Sequence, residues 1–243
     1  MVVLTAPAPE ASSGATATNR PRWRRFLLPV TYVYAAALVA VTAWLSVIDD
    51  TTQSKIVLHV STNLHNLLRG HFGTLFSSAF VIGDNSGALL IIPLLVSLLA
   101  LAELRFGAWQ VIRIFLAGHI GATLLVALGL WVAVEAGWLP IDITRAEDVG
   151  ISYGAMALIG AFYALLPSRW RPTWAITWLA VAVAGVVMGR TFTNVGHLLA
   201  VVIGLAAGFW ALRSHHPTLP KLSWYETVML VIASVLGYLL LVG

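Results

Sequence analysis

Apolar residues in this chain fall in long unbroken blocks, over 26–48, 87–104, 109–134, 149–166, 173–188, 195–212 and 224–242, with short polar or basic stretches between them. Blocks of about 18 or more apolar residues are long enough to cross the hydrocarbon core as helices. Spanning strands would instead alternate polarity over about 10 residues, and no such alternation is present. The pattern predicts an all-α bundle that crosses the bilayer seven times. Residues 1–25 are rich in Ala, Pro, Ser and Thr and end in a cluster of arginines, Arg20, Arg22, Arg24 and Arg25; they predict a disordered basic tail. The first block is about 23 residues long and has no small-residue cleavage site after it, so it reads as a permanent anchor rather than a signal peptide.

One connection does not fit a simple bundle. Residues 49–86 form a linker of about 38 residues, whereas helix connections in bundles usually take 2–8. Within it Leu64, Leu67, Leu68, Phe72, Leu75, Phe76 and Phe80 recur at helical spacing, which predicts short amphipathic helices in the membrane interface.

Composition agrees with lipid as the solvent. Of the 243 residues 59% are hydrophobic and 10% are charged, too few charges to cover a soluble globule, which carries roughly 25%. The basic residues also settle an expected orientation. With the N-terminus in the cytoplasm, Arg105, Arg113, Arg169, Arg171, Arg213 and Lys221 share the inner side, while Asp49, Asp50, Asp84, Glu135, Asp142, Glu147 and Asp148 share the outer one. Most tryptophans stand near block ends, where indole rings favour the interface. The net charge of +4 is thus accounted for by inner loops and calls for no nucleic acid. With no cysteine, disulfide and thiol chemistry are excluded.

Polar residues inside a membrane are costly and are functional candidates for that reason. Ser152, in Gly150-Ile151-Ser152-Tyr153-Gly154, opens the fourth block, and His197, in Asn194-Val195-Gly196-His197, opens the sixth. These two helices run in the same direction, so a nucleophile and a base stand at similar depth near the outer surface. Gly154 and Gly160 on one helix, with Ala200, Gly204 and Gly208 on the other, supply small faces that let two backbones approach closely. The plain alternative is that the serine and the glycines serve packing alone. His119, in Ala117-Gly118-His119-Ile120-Gly121, is expected near mid-membrane, as part of a polar network or as a packed histidine. Glu103, near Arg105, reads as a structural anchor or an ion pair. His59, His65 and His71 match no metal-ligand spacing, so neither a metal nor another cofactor is expected. Gly150-x-Ser152-x-Gly154 also satisfies the nucleophile-elbow expression of soluble hydrolases, but the strand that such a turn requires is missing.

These residues resemble the rhomboid intramembrane serine proteases and their rhomboid-like relatives. The resemblance rests on Gly150-Ile151-Ser152, on Gly160 eight positions beyond the serine, on His197 followed by Ala200 and Gly204, on the Ala-Glu-Leu-Arg-Phe-Gly run at 102–107 and on the long loop after the first helix. It implies a six-helix membrane domain over 26–213 with an interfacial loop at 49–86, plus an additional C-terminal transmembrane helix in 214–243. It further implies a Ser152–His197 dyad that cleaves transmembrane proteins in a bacterial plasma membrane. The family usually places a His and an Asn four positions apart on the second helix to hold the oxyanion. The aligned positions here are Gly87 and Ile91, and Gly150, Tyr153, Asn85 and His119 are the candidates for support instead. The tyrosine that stacks on the catalytic histidine in the family aligns with Met156. Two further readings stay open: a pseudoprotease that binds transmembrane helices without cutting them, ranked just behind the protease, and a small transporter, ranked third.

Overall fold

The computed structural model describes residues 27–83, 85–149, 151–215 and 222–242. The expectations placed on residues 1–25, on Gly150 and on the Asn85 side chain lie outside the described residues, as do Asp84 and Lys221.

All seven apolar blocks are helical. They are α1 (Pro29–Leu45), α5 (Asn85–Phe106), α6 (Ala108–Glu135), α7 (Ile151–Ala161), α8 (Arg171–Gly189), α9 (Phe192–His215) and α10 (Trp224–Val242). The linker after α1 carries three short helices, α2 (Asp50–Val60), α3 (Leu64–Leu68) and α4 (Thr74–Ser77). Asp49 caps α2 by accepting from the Thr52 amide, and Asn63 caps α3 by accepting from the Asn66 amide. Leu64 is buried, while Leu68, Phe72, Phe76 and Phe80 are exposed. No strand occurs among the described residues.

Five of the seven helices are long and apolar enough to cross a membrane alone, whereas Pro29–Leu45 and the apolar run Ile151–Leu165 are shorter. The second run is stopped by Pro167, which holds Leu166 in an extended conformation, φ −86° and ψ 148°. At 1.5 Å per residue such a run spans only about 22 Å, less than the roughly 30 Å of hydrocarbon. A run this short is tolerable in a membrane protein where protein surrounds it, as it does α7.

Every residue of α7 is buried, and the bundle is organised around it. A β-carbon on Gly118 of α6 would stand 2.1 Å from the Ala157 β-carbon, and one on Gly204 of α9 would stand 2.0 Å from the Ala157 carbonyl oxygen. A β-carbon on Gly160 would meet the Val201 carbonyl of α9 at 2.5 Å. Backbones in lipid gain contact area by such close approach, and only glycine permits it. At the turn between α5 and α6, Gly107 adopts φ +82°, which closes a one-residue connection between antiparallel helices.

Charge is used at the opposite end of the bundle. The buried Glu103 carboxylate accepts from the Val30 amide (3.1 Å), the Thr31 amide (2.9 Å) and the Thr31 hydroxyl (2.8 Å), and so caps the start of α1. Its expected role as anchor is the one seen, and its neighbour Arg105 pairs elsewhere, with Glu226 of α10 at 2.6 Å.

Candidate functional site

Ser152 is the second residue of α7, and His197 is the sixth of α9. The Ser152 Oγ lies 2.9 Å from the His197 Nε2, and both side chains are buried. That distance is within the ordinary hydrogen-bond range. The tight α7–α9 seam below, through Gly160, Gly204 and Gly208, brings the two helix starts together. A β-carbon on Gly208 would stand 2.8 Å from the Ala161 carbonyl, and Ala200 is fully buried in the same contact region. Gly154 belongs to a different seam: its missing side chain makes room for the Phe115 ring of α6, not for α9.

Tyr153 is the residue placed against the histidine. Its ring meets the His197 ring edge-on at 5.5 Å between centroids and lies over Gly196, where a β-carbon would come within 2.3 Å of it. Met156, expected at the position of the family's stacking tyrosine, points instead toward α10, with its Cε near Gly237. The aromatic neighbour of the histidine has thus moved from one turn beyond the serine to the residue directly after it. The His197 Nδ1 and the Tyr153 hydroxyl are both buried without a hydrogen bond of normal geometry.

A second polar cluster holds the start of α7. The Asp148 carbonyl accepts from the Thr62 amide (2.9 Å), the Thr62 hydroxyl (3.0 Å) and the Ser61 hydroxyl (3.1 Å), and the Asp148 amide donates to the Ser61 Oγ (2.8 Å). The loop after α2 is in this way tied to the loop that launches α7. The Asp148 carboxyl is buried, and burial pushes it up from 3.8 to about 6, with the nearby Tyr153 hydroxyl working against the shift and Glu147 adding to it. Ser61, Thr62 and Asp148 escape a sequence reading because their bonds run through backbone groups, which leave no compositional trace.

Ser152 and His197 open on a cavity of about 430 Å³. Its polar wall is Thr191, Thr193 and Asn194 of the α8–α9 turn and α9, and its apolar wall includes Ile91 of α5, Met188 of α8 and Leu240–Val242 of α10. Asn194 is a further residue that the sequence reading did not single out as functional; its side-chain amide donates to the Gly185 carbonyl at 2.9 Å. Ile91 stands in the wall as an apolar residue, and Gly87 lies beside Ile82 and Ile91 with no side chain to offer.

His119 is not in the cavity wall. It is fully buried, with Nε2 at 2.8 Å from the Leu75 carbonyl and 3.3 Å from the Ser78 hydroxyl. It therefore fastens the 49–86 linker to α6. His59 and His71 lie near each other, 6.4 Å between ring centroids, and no group of three or more metal-ligating side chains occurs among the described residues.

Comparison with known families gives this arrangement a context. A family model described as rhomboid-like protein matches residues 25–216, so the chain belongs to the rhomboid-like family. At the level of the family it is an integral multi-pass membrane protein of the intramembrane protease or pseudoprotease type. No curated protein and no solved structure matches the chain. α10 lies beyond the matched residues.

Proposed function

We propose that this protein is an intramembrane serine protease in which Ser152 is the nucleophile and His197 the general base. The observation that carries the reading is the 2.9 Å contact between the buried Ser152 Oγ and His197 Nε2 at the wall of a cavity. For the serine to donate, Nε2 must hold the lone pair and Nδ1 the proton. Nε2 then takes the Ser152 proton as Oγ bonds to the scissile carbonyl carbon. The tetrahedral oxyanion collapses, the C–N bond breaks, and the proton passes from Nε2 to the leaving amine. Water, activated by the same nitrogen, hydrolyses the acyl-enzyme.

The oxyanion requires donors, and Gly87 and Ile91 have none to give from their side chains. The first-turn amides of a helix have no partner within it, so the amides around Ser152 at the start of α7 are the natural source, favoured also by the helix dipole. The substrates are transmembrane proteins, and the site faces the outer side of a bacterial plasma membrane, with the N-terminus in the cytoplasm. A pseudoprotease is the second reading, and the apolar residues Gly87 and Ile91 are the observation that favours it.

Labelling of the detergent-purified chain by a fluorophosphonate serine probe separates the two. We expect labelling of the native protein and its loss in both Ser152→Ala and His197→Ala. A folded native protein that stays unlabelled, beside a rhomboid protease that labels in parallel, rejects the protease.

A further inference from the structure

α10 is the part of the bundle that family membership leaves unexplained, and its placement is specific. It lies against α5, α8 and α7, while α5 and α8 share little direct contact with each other. Among the described helices, α10 is the one that packs substantially against both α5 and α8. The far end of α10 points at the reactive pair: Leu240, Leu241 and Val242 line the same cavity as Ser152 and His197. Contact there is close, since a β-carbon on Gly185 of α8 would stand 2.7 Å from the Leu241 carbonyl. One turn away, a β-carbon on Gly237 would stand 2.5 Å from Ile159 Cδ1 of α7.

The two ends of α10 are held differently. At its start, Glu226 pairs with Arg105 of α5 at 2.6 Å and also accepts from the Ser223 amide (2.7 Å) and hydroxyl (2.6 Å). Both charged side chains are nearly buried, which makes this end an electrostatic latch. At the cavity end α10 contributes apolar side chains only, and its outward face, including Val228, Val231, Val235 and Leu239, is exposed for lipid. Apolar contacts between helices exchange readily for contacts with lipid, because the hydrocarbon is as apolar as the helix face. The slot between α5 and α8 accepts an apolar helix, as α10 itself demonstrates.

We infer that α10 is a resident plug: it occupies the sideways path from lipid to Ser152, and an apolar transmembrane helix reaches the cavity only when the Leu240–Val242 end of α10 swings out on the Arg105–Glu226 latch. The inference rests on the reading of Ser152 and His197 as the reactive pair. Access to the site is then a competition between α10 and an incoming helix for one slot.

The test uses the full chain, which has no native cysteine. Ile159→Cys with Gly237→Cys places two thiols across the α7–α10 contact, where a methanethiosulfonate cross-linker bridges them and a reductant releases them. The protein is placed in phosphatidylcholine–phosphatidylglycerol vesicles with a Leu-Ala transmembrane peptide carrying a central diazirine, and photo-capture on α5 or α8 is measured. Bridging should lower capture about tenfold, and reduction should restore it in the same molecules; Glu226→Gln, which weakens the latch, should raise capture about threefold. Capture within about twofold of native in both the bridged protein and Glu226→Gln overturns the plug. Fluorophosphonate labelling, read in parallel, keeps the two proposals apart. Capture governed by the bridge without any serine labelling rejects the protease and retains the plug, and labelling with capture indifferent to the bridge does the reverse.

Discussion

The bundle has two halves built on different principles. In one, α6, α7 and α9 meet backbone to backbone through Gly118, Gly160, Gly204 and Gly208, and α7 is wholly buried. In the other, α8 and α10 lie at the edge, with only 17% and 28% of their apolar stretches buried. The first half carries Ser152 and His197, and the second supplies one wall of their cavity. The difference teaches where precision is needed. A 2.9 Å contact between two helices survives only if neither helix can rotate or slide, and glycine contacts enforce this because they leave no slack. A wall that must part for a membrane-embedded partner is better made of side chains that lipid can replace.

The contrast can be broken most severely at Gly204. Gly204→Leu drives a side chain into the Ala157 carbonyl, and we expect a loss of at least about 3 kcal/mol, visible as a lowered midpoint in dodecyl sulfate titration of the protein in mixed micelles. Next comes the polar anchor of α1. Glu103→Ala strands the Val30 and Thr31 amides and the Thr31 hydroxyl, for an expected loss of about 2–4 kcal/mol by the same assay.

Asp148→Asn should act in the opposite direction. The folded protein holds the proton on this carboxyl up to about pH 6, and the unfolded chain releases it near 3.8. Between those values the native state binds more protons, so stability falls as pH rises through the window and stays low above it. The amide cannot ionise and keeps the backbone ties to Ser61 and Thr62. We therefore expect it to gain roughly 1–3 kcal/mol at pH 7 and to flatten the stability profile between about pH 4 and 6. A variant that retains the native slope would remove Asp148 as its origin. The smallest effect belongs to the edge. Ile176 of α8 is 67% exposed, and Ile176→Ala should shift stability by less than about 0.5 kcal/mol, since its side chain meets lipid before and after unfolding in the membrane.

Much of the architecture was legible before the structure. All seven apolar blocks are helices, and the linker between α1 and α5 contains short helices where its apolar residues recur at helical spacing. Ser152 and His197 were recognisable as partners because each opens an apolar block and the two blocks run the same way. Their neighbours were harder to read. Tyr153 reads in the sequence as a candidate for oxyanion support and Met156 as the counterpart of the family's stacking tyrosine; in the structure it is the Tyr153 ring that meets His197. Gly154 read as part of the same small face as Gly160, yet it receives Phe115. These are consequences of how α7 is rotated between its neighbours, and the spacing of small residues narrows that rotation without specifying it.

The sequence by itself determined the solvent of this protein and the seven apolar stretches that become its main helices, because hydrophobic length is a property of consecutive residues. The 49–86 linker tied to α6 by His119, the loop after α2 fastened to Asp148, and α10 wedged between α5 and α8 were decided only by the tertiary structure. Each joins groups far apart in the chain through backbone atoms or backbone-close packing, and every residue brings the same backbone whatever its side chain.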